Sequence, residues 1–172
     1  TPDSEAYDTS YTKTTHTWVA DTTDSSIFKS NNKGVANSQA TASVEISLPN
    51  VATLSFDYKV SSEGGSYDWM NISVIDGNGK TEVAKKLGGT TTAVTNWQTY
   101  TASVTPDSNG KVKILLLYRK DSSSNRGDDI GAIRNIKING QGIVTDNCTF
   151  ASDDVFTLEN NYKAISYIGA DT

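Results

Sequence analysis

Few side chains in this sequence could carry chemistry, and most of the charged ones cluster in the loop RKDSSSNRGDD, residues 119–129. The loop supplies Asp121, Asp128 and Asp129, and with Glu63 or Asp68 these are the oxygen donors that a hard cation takes six to eight at a time. Its charges have a competing use: Lys120 can neutralise Glu63 and Asp68, because a buried charge needs a partner. An ammonium group at that spot repels a metal ion, so the charge network is preferred; no cofactor is expected, with calcium at Asp121, Asp128 and Asp129 as the alternative. The loop also contains Arg126-Gly127-Asp128, the tripeptide that some adhesion proteins show to integrins. Its residues are common enough for the tripeptide to arise by chance in a chain of this length, so it is read as coincidence.

A second set is aromatic and planar-polar. In YDWMNISVID, residues 67–76, alternation puts Met70, Ile72 and Val74 on one face and Tyr67, Trp69, Asn71 and Ser73 on the other. Asp57, Lys59 and Arg119 are expected on the face of Trp69. A sugar ring has an apolar face and a rim of hydroxyls, and an indole flanked by amide, carboxylate and guanidinium groups supplies the complement. The carbohydrate-binding candidates are therefore Trp69, Asn71, Arg119, Tyr67, Trp97 and Trp18, although Trp97 and Trp18 also suit core or edge-covering roles. In the opposing reading Trp69 is sealed beneath another segment together with Leu115, Leu117 and Ile133.

Catalysis finds little support. His16 is the only histidine and Cys148 the only cysteine, and neither sits in a recognisable nucleophile motif. No pair of carboxylates is singled out for hydrolysis. The chain is read as not an enzyme.

Composition narrows the classes further. The 172 residues suffice for one core, and 15 basic against 20 acidic residues give a net charge of -5. Nucleic acid is a poor partner for that balance. No apolar stretch approaches the roughly 18–20 residues of a spanning helix, so membrane insertion is not expected. Three tryptophans and eight tyrosines stand among Ser, Thr, Asn, Gly and Asp runs, the texture of an exposed β domain. A lone cysteine allows no internal disulfide, which fits a secreted bacterial protein better than an animal ectodomain.

The elements that must position these residues read as strands. Alternation is clear in ATASVEISL (40–48) and TLSFDYKV (53–60), and the short Pro49-Asn50 link between them predicts a hairpin. Further strands are expected at 67–76, 96–104, 111–119 and 130–138, with a first near 15–20. DGNGK (76–80) suits a glycine-rich hairpin turn, and only TEVAKKL (81–87) shows weak helical periodicity. KVKILLLYR departs from alternation, since Leu115 and Leu117 oppose Val112, Ile114, Leu116 and Tyr118. A strand apolar on both faces is covered on both, and residues 140–172 are the natural cover.

These segments, taken in order, resemble the MAM-like, jelly-roll β-sandwich domains of bacterial surface proteins. The resemblance runs over about residues 18–138 and is carried by Phe56, Tyr58, Ser61, Ser62, Glu63, Tyr67, Asp68, Trp97, Tyr118, Lys120, Asp121 and Asp129. Arg134 and Asn135 stand where such domains usually have acids, which weakens the metal reading. The resemblance implies an all-β, antiparallel jelly-roll β-sandwich over residues 1–142. Residues 143–172 would be a C-terminal strand extension packed on it, or the start of a next module. It is compatible with adhesins, enzyme appendages and carbohydrate-binding modules alike.

The expected function is non-catalytic binding of a polysaccharide or glycan by a monomeric module of a larger protein, extracellular or at the cell surface. The alternative is a structural or adhesive spacer that recognises a protein partner. Exposure of Trp69 discriminates between them.

Overall fold

The computed structural model describes residues 14–24, 27–62, 67–88, 96–121, 128–142 and 164–166. These residues form strands and no helix: β1 (Thr14–His16), β2 (Trp18–Ala20), β3 (Phe28–Ser30), β4 (Ser38–Ser47), β5 (Ala52–Ser61), β6 (Trp69–Asp76), β7 (Gly79–Leu87), β8 (Gln98–Val104), β9 (Lys111–Lys120), β10 (Ile130–Ile138), β11 (Gln141–Gly142) and β12 (Ala164–Ser166). They make two sheets. The first runs β1-β4-β9-β6-β7 with β12 also on β4, and the second runs β2-β3-β10-β5-β8 with β11 on β10. Pairing is antiparallel except where β1 and β12 lie parallel to β4.

The core lies between the sheets, and strand alternation fills it. Across the first sheet Ala42, Leu116 and Ile72 stand in one row and Val44, Ile114 and Val74 in the next. Leu54, Phe56, Val60, Ile133 and Ile138 meet them from the second sheet. Gly131 of β10 permits a close approach of the two sheets, since a Cβ there would lie 2.8 Å from Met70 Sδ and 3.2 Å from the Trp18 ring.

The all-β, two-sheet architecture expected from alternation is what forms, and β10 occupies 130–138 as predicted. The Pro49-Asn50 link is not a hairpin. β4 pairs with β1, β9 and β12 while β5 pairs with β8 and β10, so the link carries the chain from one sheet to the other. Two alternating strands joined by a short link can pair edge to edge or face each other across a core, and their apolar pattern is the same in both cases. TEVAKKL is strand, not helix, because it closes the β6–β7 hairpin through the predicted DGNGK turn. The predicted strand at 15–20 is broken at Thr17: β1 joins the first sheet and β2 the second.

Residues 143–163 and 167–172 lie outside the described residues, and with them most of the expected C-terminal extension. Ala164–Ser166 pairs with Glu45–Ser47. Leu115 and Leu117 are buried, as a strand apolar on both faces requires.

Candidate functional site

Three places bring the chemically suggestive residues together: one end of the sandwich, the outer face of the first sheet, and the outer face of the second. At the end of the sandwich β9 turns Lys120 inward, where its side chain is 1% exposed. Its Nζ lies 2.6 Å from Asp129 Oδ1 and 3.2 Å from Asp68 Oδ2, and both carboxylates are buried with it. Asp129 also accepts hydrogen bonds from Tyr118 Oη at 2.8 Å and from the Gly34 N–H at 2.7 Å, and Asp68 Oδ1 accepts the Asp121 N–H at 2.8 Å.

Burial pushes the Asp68 carboxyl up to about 6, against the opposing pull of the Asp121 N–H and the Lys120 ammonium. Burial, and then the Asp129 charge, hold the Tyr118 phenol protonated far above its ordinary range. Asp129 takes a left-handed backbone, φ 56°, a conformation that aspartate tolerates better than most residues. Lys120 pairs with Asp68 as expected. Asp129 stands with Asp68 on Lys120, and Glu63 lies outside the described residues.

The three calcium candidates are engaged differently in this arrangement. Asp129 is buried against an ammonium, Asp128 is exposed with its N–H donated to Ser61 Oγ at 2.7 Å, and Asp121 uses its N–H on Asp68. Among the described residues no three His, Cys, Asp or Glu side chains group as a metal site. Arg126 and Gly127 of the Arg-Gly-Asp tripeptide lie outside the described residues.

On the outer face of the first sheet Gln39, Arg119 and Trp69 form one cross-strand row and Thr41, Leu117 and Asn71 the next. Trp69 is 4% exposed. The Arg119 guanidinium lies 5.2 Å and the Lys86 ammonium 5.5 Å from its ring centroid. Asn71 Oδ1 accepts the Lys86 N–H, at 2.6 Å. The hollow beside Asn71, Leu115 and Leu117 holds about 40 Å³, room for water and not for a sugar ring. Trp69, Asn71 and Arg119 therefore share a face as predicted, but the indole is sealed. Tyr67, just before β6, is 59% exposed. Trp18 is in the core, with its indole Nε1 donating to the Ala40 carbonyl at 2.9 Å, and offers no platform.

Asp57, Lys59 and Ile133 do not share the Trp69 face. Asp57 and Lys59 point outward from β5 in the second sheet, and Ile133 points into the core. Strand parity is local to each sheet, and β5 and β6 belong to different sheets, so their outward side chains lie on opposite sides of the sandwich.

The outer face of the second sheet holds a larger hollow, and this one carries an indole. Lys59 of β5 stands opposite Ala132 of β10, which stands opposite Lys29 of β3. Gln98 pairs with Tyr58, so Trp97 falls at the next position, beside Lys59, whose ammonium lies 5.0 Å from the ring centroid. The small Ala132 between two lysines leaves a floor, and the cavity above it measures about 300 Å³. Ile27, Ile130, Lys33, Asp21 and Asp128 complete its wall.

Trp97 is half-buried and is held from its second neighbour row. The Arg134 guanidinium lies 4.1 Å from its ring centroid and donates through Nε to Asp57 at 3.2 Å. Asp57 also accepts from Thr99 Oγ1 and Asn135 Nδ2, both at 2.8 Å. Partial burial pushes the Asp57 carboxyl up, but these three hydrogen bonds and the Arg134 charge outweigh it, and the net shift is downward. Arg134 and Asn135 thus brace Asp57, and Arg134 also braces Trp97. Lys29, Lys33, Asp21 and Ala132 were missed from sequence; Lys29 and Ala132 sit in the Phe-Lys-Ser and Gly-Ala-Ile stretches of two strands whose pairing the sequence does not give.

No protein-family model matches the chain, and no curated protein matches it in sequence.

Proposed function

We propose that this chain is a non-catalytic carbohydrate-binding module of a secreted or cell-surface bacterial protein, with its site at Trp97 on the outer face of the second sheet. One observation carries the reading: a half-buried indole, braced by Arg134, opens onto a 300 Å³ hollow whose wall supplies ammonium donors and carboxylate acceptors. That volume stands at the small end of ligand sites, and the mixture of apolar floor and a few fixed polar groups is their usual make-up. Saccharide hydroxyls both donate and accept, so a wall with Lys59 and Lys33 beside Asp128 can serve both. The non-catalytic part rests on the sequence, with a single histidine and no nucleophile motif.

Affinity electrophoresis through a panel of neutral and acidic polysaccharides tests the proposal. Retardation of the native chain by at least one polysaccharide is expected, with loss of retardation in Trp97→Ala and its persistence in Trp69→Phe. Absence of retardation by every polysaccharide in the panel refutes it.

The second reading, a structural or adhesive spacer, is favoured by the outer face of the first sheet. Trp69, the side chain expected to form a platform there, is buried with Leu115 and Leu117. In that reading the Trp97 hollow has no saccharide ligand.

A further inference from the structure

The Trp97 hollow is cationic in a chain that is not. The whole sequence carries -5, yet three lysines line this cavity against two aspartates. The aspartates are unequal. Asp21 is engaged by its own turn: Oδ1 lies 2.8 Å from Lys29 Nζ, and Oδ2 accepts Thr23 Oγ1 at 2.6 Å and the N–H groups of Thr23 and Asp24 at 3.0 Å each. The Lys29 and Thr23 bonds hold its carboxyl ionised well below the usual range, so it neutralises Lys29 and little else. Among the described residues Lys33 and Lys59 have no carboxylate within ion-pair distance, and only the exposed Asp128 opposes them in the wall.

Position makes these ammonium groups usable. Lys59, Ala132 and Lys29 occupy adjacent strands, so the two lysine backbones stand about 10 Å apart at roughly 4.8 Å per strand. Lys33 follows four residues after Lys29 and lines the same 300 Å³ hollow as Lys59, so the two lysines without a carboxylate partner border one space over Ala132. Lys59 is steadied by the Trp97 ring, which lowers the entropy lost when its ammonium is fixed on a ligand.

We propose that this hollow recognises an acidic saccharide, a sugar residue bearing a carboxylate or sulfate, with the anion between Lys33 and Lys59 and the ring against Trp97. The inference rests on the saccharide reading above and adds the charge of the ligand. A neutral sugar would leave two ammonium groups desolvated without a counter-charge, whereas an anion turns that cost into charge-assisted hydrogen bonds.

Calorimetry with oligogalacturonate, chondroitin sulfate oligosaccharide, neutral galactan oligosaccharide and polyglutamate separates the outcomes. The expected result is binding to one of the two acidic saccharides at least about tenfold tighter than to neutral galactan, weakened about tenfold by Lys33→Gln with Lys59→Gln. Raising NaCl from about 0.05 to about 0.5 M should weaken it too, because exposed charge pairs are screened. Melting curves of the double variant establish that it is folded, and Lys59→Arg should retain most of the affinity. Neutral galactan bound as tightly as the acidic sugars, and unaffected by the lysine changes, overturns the acidic preference and leaves the saccharide reading standing. Equal binding of polyglutamate overturns it as well, since charge alone would then suffice. Binding of none of the four, together with no retardation on the wider polysaccharide panel, removes both.

Discussion

Trp69 and Trp97 each hold an arginine and a lysine against the indole, at 5.2 and 5.5 Å in the first case and 4.1 and 5.0 Å in the second. One is sealed and the other borders a cavity. The difference comes from the neighbouring rows. Beside Trp69 stand Leu117 and Leu115, whose apolar bulk must leave water, and the indole is buried with them. Beside Trp97 the row continues through Lys59 to Ala132 and Lys29, where a methyl group stands in place of a leucine and two charged heads stay wet. A tryptophan with cations on its ring is therefore not itself a binding platform. Side-chain size one or two strands away decides whether it is a staple or a wall.

The comparison can be broken at its base by loosening the element both faces share. Asp68 precedes Trp69 directly, Asp129 sits between Asp128 and Ile130 of the hollow, and Lys120 binds both carboxylates. Lys120→Met should cost about 3–5 kcal/mol in urea unfolding, because it strands two buried carboxylates. Next in size is the pair of truncations. Trp69→Ala should cost about 3–5 kcal/mol, as for a buried aromatic, and Trp97→Ala only about 1 kcal/mol. Equal costs would mean that the two indoles are buried alike.

Acid titration bears on the same shared element. The Asp68 carboxyl holds its proton up to about 6 in the folded chain and to 3.8 when unfolded. The native state thus binds more protons in that window, so this residue makes stability fall as pH rises from about 4 to about 6, by up to about 3 kcal/mol at 1.36 kcal/mol per pH unit. Asp68→Asn, which keeps an acceptor for the Asp121 N–H, should flatten that decline in melting temperature against pH. The smallest effects sharpen the contrast between the two stacked arginines. Arg119→Gln should destabilise by about 1–2 kcal/mol and Arg134→Gln by less than about 1 kcal/mol in the same unfolding assay, since only the first stacks on a sealed ring.

The strands were legible because period-2 alternation survives even in a chain this polar, and the doubly apolar KVKILLLYR announced that β9 is covered on both faces. Sheet membership was not legible. Phe56 and Ile72 carry the same local signal whether their strands pair or face each other, and the Pro49-Asn50 link fits a corner as well as a hairpin. Because β5 lies in the second sheet, Asp57 and Lys59 stand around Trp97 and not Trp69. Lys120 could be read as a buried, paired cation from its place at the inward parity of β9, but its second partner could not, because Asp129 reaches it through a left-handed turn that no periodicity encodes. The Trp97 hollow was hidden for a related reason. It is made of residues from β3, β5 and β10, and its defining feature, a small Ala132 between two lysines, exists only once those strands are side by side.

The division of labour between the two indoles has a direct readout in the Nε1–H resonances of Trp18, Trp69 and Trp97, assigned by single Trp→Phe variants and followed during titration with the saccharide that the panel selects. Movement of the Trp97 resonance to saturation, with those of Trp18 and Trp69 nearly stationary, is the result predicted. A saturating shift at Trp69 with Trp97 unmoved would contradict the account, because the sealed indole would then be the one that meets the ligand.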